Sequence, residues 1–158
     1  MNVSKLVQNT TKAPKGVTDI SVASVISDDA IHGLKKVCKN DESAIEDVVR
    51  YLLLDLGNRS VVVRLRSLSV IDSLFLRSRI FRKGISSNIR SVAQCAGFVG
   101  GKGFENTEHR EALQHRVKEL LETWDMYYGE FLPEIRAITR HMKEYLLLEM
   151  PNIKVRSC

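Results

Sequence analysis

No stretch of this chain is long and apolar enough to cross a bilayer. The longest run without a formal charge, Ser91 to Gly101, has 11 residues, against the ~20 apolar residues a spanning helix needs. The opening residues MNVSKLVQNTTK hold no apolar core of the signal-peptide kind, so no export is expected. Cysteine is scarce and odd in number. Cys38, Cys95 and Cys158 form no Cys-x-x-Cys pair, and nothing supplies the four closely spaced ligands of a zinc site. Cys38 and Cys95 are expected to be reduced, buried, small apolar residues of an intracellular protein. Aromatics are few, with one Trp and five Phe, and they do not interleave with basic residues as on a single-strand nucleic-acid platform. The four histidines, His32, His109, His115 and His141, make no His-Glu-x-x-His, and there is no Gly-x-Ser-x-Gly. The chain therefore offers no constellation for catalysis. No enzymatic activity, cofactor or metal is expected.

What is present is an ordinary globular balance, 44% apolar and 27% charged, on a chain long enough to bury a real core. The net charge of +5 is uneven. Between Asn58 and Lys102 stand nine Lys or Arg against one acid, a local +8, so the rest of the chain sums to −3. A basic middle between acidic ends suggests a face that meets an acidic partner; the competing reading is a solvated basic surface with no partner.

Apolar spacing is helical almost throughout. Val3, Leu6 and Val7 suggest a short first helix, and residues 12–20, with Pro14 and Gly16, read as a loop. Asp28 or Asp29 is placed to cap a helix carrying Ile31, Leu34 and Cys38 on one side. Asp41 or Ser43 caps the next, with a stripe of Ile45, Val48, Val49, Leu52, Leu53 and Leu56 and a stop at Gly57. The stretch VVVRLRSLSVIDSLFLRSRIFR, Val61 to Arg82, is apolar nearly all round and reads as an internal helix of about five turns. Val61, Leu65, Leu68, Phe75 and Leu76 share one broad face, and only Arg66, Ser69, Ser73 and Arg77 form a polar stripe. Asp72 falls within the apolar face, where an unpartnered carboxylate is costly. It should accept hydrogen bonds from an arginine of this stretch or from a helix N-terminus.

Residues 83–98 suggest one short amphipathic helix, and GFVGGKGFEN a flexible connector. The glycines do not make a Walker loop, because Ala96 and Gly103 occupy the positions that need Gly and Ser or Thr. Asn106 or Thr107 caps a long helix with Leu113, Val117, Leu120, Leu121, Trp124 and Tyr128 at helical spacing. Gly129 and Pro133 break and restart the chain before a last helix. Phe75, Leu120 and Trp124 are expected in the core, with Cys38 where its helix meets the internal one. The sum is an all-α stack of about seven helices. Residues 1–150 form one domain and 151–158 a loose tail. Arg66, Arg77, Arg79, Arg82 and Lys83 are expected to form a basic docking edge at the end of the internal helix, since long side chains can bury their stems and keep their heads wet.

Four segments resemble a known family. SKLVQNTT near the start, LKKVCK at 34–39, RLRSLSVIDSLFLRSRIFR at 64–82 and ETWDMYYGEFLPEIRAITRHMKEYL at 122–146 are similar to the N-terminal domain of the UV-stimulated scaffold protein A family. The third carries the most weight, through Arg64, Leu65, Ile71, Asp72, Leu74, Phe75, Arg77, Ser78, Phe81 and Arg82; Trp124 with Gly129 adds a further match. Residues 12–27 and 97–105 have no counterpart. The resemblance implies a VHS/ENTH-like right-handed superhelix of about seven to eight helices. It implies a nuclear, chromatin-associated, non-enzymatic scaffold of transcription-coupled nucleotide excision repair. Its partners would be RNA polymerase II stalled at a lesion, the Cockayne-syndrome WD-repeat subunit of a ubiquitin ligase, TFIIH and a ubiquitin-specific protease. Family members are longer, with the TFIIH-binding segment and a zinc-binding region further on, so the chain is expected to carry only the docking part. No small-molecule substrate and no membrane are expected. Ubiquitin is at most a weak partner in this resemblance, because ubiquitin-binding VHS domains place a Trp and a Leu where this chain has Ile31 and Lys35. Two readings compete: a membrane-trafficking adaptor of the same architecture that binds anionic lipid or sorting peptides, and a reader of the phosphorylated polymerase tail.

Overall fold

A computed structural model describes residues 2–100, 103, 104 and 106–149. Among these, nine helical segments and no strand occur: α1 (Val3–Thr11), α2 (Ile20–Ala23), α3 (Asp28–Asn40), α4 (Glu42–Asp55), α5 (Val61–Arg77), α6 (Arg79–Ser86), α7 (Ile89–Cys95), α8 (Thr107–Tyr128) and α9 (Pro133–Leu148). Setting aside the single turn α2, eight helices stack as in a VHS-like helical superhelix. The tail expected at 151–158, with Cys158, lies outside the described residues.

Side-chain caps set the helix boundaries. Asn2, Asp19, Ser27, Asp41, Ser60, Ser78 and Asn106 each accept a hydrogen bond from a backbone N–H of the first helical turn, satisfying donors that the helix leaves orphaned. Ser27, rather than Asp28 or Asp29, caps α3; the two acids sit in its first turn. Ser78 divides the long basic stretch. Its amide still bonds the Leu74 carbonyl, which closes α5, while its hydroxyl accepts from the Phe81 amide 3.1 Å away and opens α6. Arg77 thus ends one helix and Arg79 starts another. The single helix expected after Arg82 is in fact α6 and α7, with Asn88 between them.

α5 is the internal helix. It packs against α1, α4, α6 and α8, and Leu68, Val70, Ile71 and Phe75 have no solvent exposure. Burial of such side chains stabilises by about 1.5–3 kcal/mol each. Phe75, Leu120 and Trp124 are all buried. Three expectations about exposure fail. Leu76, assigned to the apolar face, is 51% exposed. Cys38 is only half-buried, whereas Cys95 is fully buried; Val37 takes the core position on α3. The glycine-rich connector is anchored rather than loose at its start, since Phe98 and Val99 are buried and Phe98 meets the Tyr145 ring edge-on at 5.3 Å.

α4 and α6 approach closely at Gly84. A Cβ there would stand 3.1 Å from Val49 Cγ2, so the valine side chain would have to give way by a few tenths of an ångström.

Candidate functional site

The side of α5 that faces α8 is sealed by an aromatic ladder. Phe75 stacks on Trp124 with ring centroids 4.1 Å apart and meets Tyr128 edge-on at 5.6 Å. Trp124 Nε1 donates to Asp72 Oδ1 at 3.0 Å, so the indole N–H and the carboxylate satisfy each other. Arg116 Nη2 lies 3.9 Å from Asp72 Oδ2 and also pairs with Glu119. The partners of Asp72 therefore come from α8, not from the arginines of its own helix and not from a helix N-terminus. Sequence reasoning missed Arg116 because nothing local links α5 to a residue more than forty positions on.

The five cations expected on one edge part company. Arg66 points to the N-terminal segment. Its Nη1 donates to the carbonyls of Ala23 (2.9 Å) and Val25 (3.0 Å), and its Nη2 to that of Thr10 (3.1 Å). These carbonyls lie at or just beyond the C-terminal ends of α1 and α2, where a cation is favoured. Desolvation pushes the Arg66 pKa below the usual arginine value, and its Nε is buried with no hydrogen-bond partner. Arg66 is a staple and not part of an exposed edge. Arg82 also turns inward. Its Nη1 donates to the Phe75 carbonyl at 2.7 Å and to the Tyr128 hydroxyl at 3.2 Å, and its guanidinium sits 4.3 Å from the Tyr128 ring centroid. Arg64 does similar work at the other end of α5, donating to the carbonyls of Asn58 and Cys95. Burial drives the Cys95 thiol up to about 12, with Arg64 opposing, so this thiol stays protonated and unreactive.

Arg77, Arg79 and Lys83 remain exposed, and among the described residues none of them is ion-paired. They border different grooves. Arg79 and Lys83, with the half-buried Arg82 between them, border a groove of about 580 Å³ against Tyr128, Phe131 and Pro133. Arg77 instead borders a groove of about 750 Å³ against α3, opposite Lys35, Lys36 and Lys39. Phe131, at 77% exposure, and the α3 lysines are surface features that the linear charge count did not single out. The lysine spacing in LKKVCK, with Lys39 four residues after Lys35 and three after Lys36, was the available signal. Ile31, one of the two ubiquitin-patch positions, is buried.

Among the described residues no group of three or more His, Cys, Asp or Glu is placed to hold a metal ion, and no helix is long and apolar enough to cross a membrane.

The resemblance seen in single segments extends along the chain. UV-stimulated scaffold protein A of Rattus norvegicus is 24% identical over 131 residues, covering 78% of this chain and 18% of the rat protein. The Arabidopsis thaliana homolog is 23% identical over 139 residues, covering 87% of this chain and 21% of the plant protein. The chain thus spans roughly a fifth of the length of the curated relatives it matches. A family model described as the UVSSA N-terminal domain matches residues 2–145, which include the capped helices, the α5–α8 ladder and both grooves, and the chain belongs to that family, the N-terminal domains of UV-stimulated scaffold protein A.

Proposed function

We propose that this chain is the docking part of a non-enzymatic scaffold in transcription-coupled nucleotide excision repair, acting in the nucleus on chromatin. In this reading residues 1–150 fold as one helical domain. The domain joins complexes of RNA polymerase II stalled at a lesion and contacts the Cockayne-syndrome WD-repeat subunit; TFIIH is reached through regions outside this chain. Family membership supports the scaffold role. The observation that carries the docking surface is the pair Arg79 and Lys83, exposed beside Phe131 and the α8–α9 turn while Arg66 and Arg82 are spent on internal carbonyls. Cations flanking an exposed aromatic suit an interface with an acidic protein surface, where charge sets the on-rate and salt dependence and the aromatic supplies anchorage.

The test is capture from ultraviolet-treated nuclear extract. The double reversal Arg79→Glu/Lys83→Glu should keep the parent's melting temperature, because exposed charges contribute under ~1 kcal/mol each. It should lose polymerase and ligase subunits from the captured set, and parent capture should fall as salt rises. Undiminished capture by the folded double variant would remove these two residues from the interface. Recovery of endosomal coat proteins in place of repair factors would move the chain to the trafficking-adaptor reading.

A further inference from the structure

The groove between α3 and the α5–α6 junction is a second basic surface; Arg79 and Lys83 are not among its lining residues, although Arg79 borders an adjoining hollow with Cys38 and Lys39. Lys35, Lys36 and Lys39 line it from α3 and Arg77 lines it from the end of α5, with Leu74 and Cys38 also in its wall. Lys36, Lys39 and Arg77 have no ion-pair partner among the described residues. Lys35 reaches Asp28 at 3.5 Å, but Asp28 is 96% exposed, so that pair is weak. Four cations therefore converge on a trough with no acid in its own lining; the nearest acids are Asp28, which is solvated, and Asp41 and Glu42 in the adjoining hollow beyond Lys39. Leu74 is buried at its base, and Cys38, half-buried, adds a second apolar patch.

We propose that this groove binds an acidic, unstructured segment of a partner protein, with Asp or Glu side chains on the cationic rim and one apolar side chain over Leu74 and Cys38. The inference rests on the reading of the chain as a docking module and names the chemistry of a second partner contact. The observation that selects a peptide over nucleic acid is the apolar floor. A phosphate backbone has nothing to place there and is held by cations and amide donors alone. An extended acidic chain supplies both charge and an apolar side chain, and its successive residues alternate in direction. Like charges crowded on one helical face work against folding, and a bound acidic segment relieves that repulsion.

Cys38 makes the groove measurable. Cys38 is half-buried while Cys95 is fully buried, so in a Cys158→Ser background a thiol reagent reports on access to Cys38, slowly, because burial pushes that thiol up to about 11. The probe is a synthetic Glu-rich peptide carrying one Leu, with a Lys-for-Glu version as control. The acidic peptide should bind the full chain, weaken with salt and slow Cys38 labelling; the basic control should do neither. Lys36→Glu/Lys39→Glu should weaken binding by about tenfold with the melting temperature retained, while Arg140→Glu/Lys143→Glu, the same charge change on exposed α9 positions, should leave it within about twofold. Equal weakening by the two double variants, binding without protection of Cys38, or no binding would overturn the proposal. Stronger binding and stronger Cys38 protection by a DNA duplex would overturn it in favour of nucleic acid. Loss at Lys36 and Lys39 with capture through Arg79 and Lys83 intact separates this inference from the proposed function, and the reverse pattern sinks the latter alone.

Discussion

The α8-facing side of α5 and the C-terminal end of the same helix solve opposite problems with the same residue types. Toward α8, charge is paired: Asp72, itself partly exposed, takes the Trp124 indole N–H, Phe75 stacks on that ring, and Arg82 ties the Phe75 carbonyl to Tyr128. Toward α3, charge is left unpaired, with Arg77 facing three lysines across a trough. The difference teaches how to sort arginines. A guanidinium whose donors end on backbone carbonyls belongs to the fold, because removing it strands acceptors that the fold has taken from water. A guanidinium facing other cations stabilises nothing and is available to a partner.

The comparison is broken most severely on the sealed side. Trp124→Ala removes the stacked ring and leaves the Asp72 carboxylate with only Arg116, and should cost about 3–5 kcal/mol. A thermal melt unchanged by it would show that the ladder does not hold the fold. Next in size is Arg66→Ala. It strands the carbonyls of Thr10, Ala23 and Val25 and should cost about 1–3 kcal/mol, with hydrogen-exchange protection lost first in α1 and α2. Uniform loss across all helices would mean that the staple serves the whole core rather than the N-terminal segment. On the open side, Arg77→Ala should change stability by less than ~1 kcal/mol; a larger drop in denaturant midpoint would place Arg77 with Arg66 and Arg82 instead.

The smallest effect lies in pH. Burial raises the Asp55 pKa, opposed by the hydroxyl of Thr11, which donates to Asp55 Oδ2 at 2.7 Å. Burial disfavours the ionised form, so Asp55 supports the fold most below its unfolded pKa of about 3.8, and that support fades as pH rises through the higher folded value. Asp55→Asn should therefore gain stability relative to the parent as pH rises from the acid range to neutrality, read by melting temperature at each pH. A difference that does not vary with pH would show that Asp55 is as well solvated folded as unfolded.

Much of the fold was legible because its signals are local. Stripes such as Ile45, Val48, Val49 and Leu52 recur at helical spacing, and all four are buried on α4. Caps at Asp41 and Asn106 stand where short polar side chains precede apolar runs. The break at Ser78 was harder to see. Apolar residues continue across it, and only the serine's own hydrogen bonds divide the stretch. The docking residues were legible as charge but not as position. Arg66 and Arg77 belong to one polar stripe in sequence, yet one meets three carbonyls and the other open groove.

By itself the amino-acid order determined the helical class, most of the buried stripes, the basic middle and the family. Each of these depends on residue spacing or composition, and neither changes when the helices are packed. Tertiary structure alone decided that Asp72 belongs to Trp124 and Arg116, that Arg66 and Arg82 end on backbone carbonyls, and that the α3 lysines share a groove with Arg77. Those pairings join residues tens of positions apart. The free energy of a charge depends on which dipoles, counter-ions and water surround it after packing, and the linear sequence does not contain that information in local form.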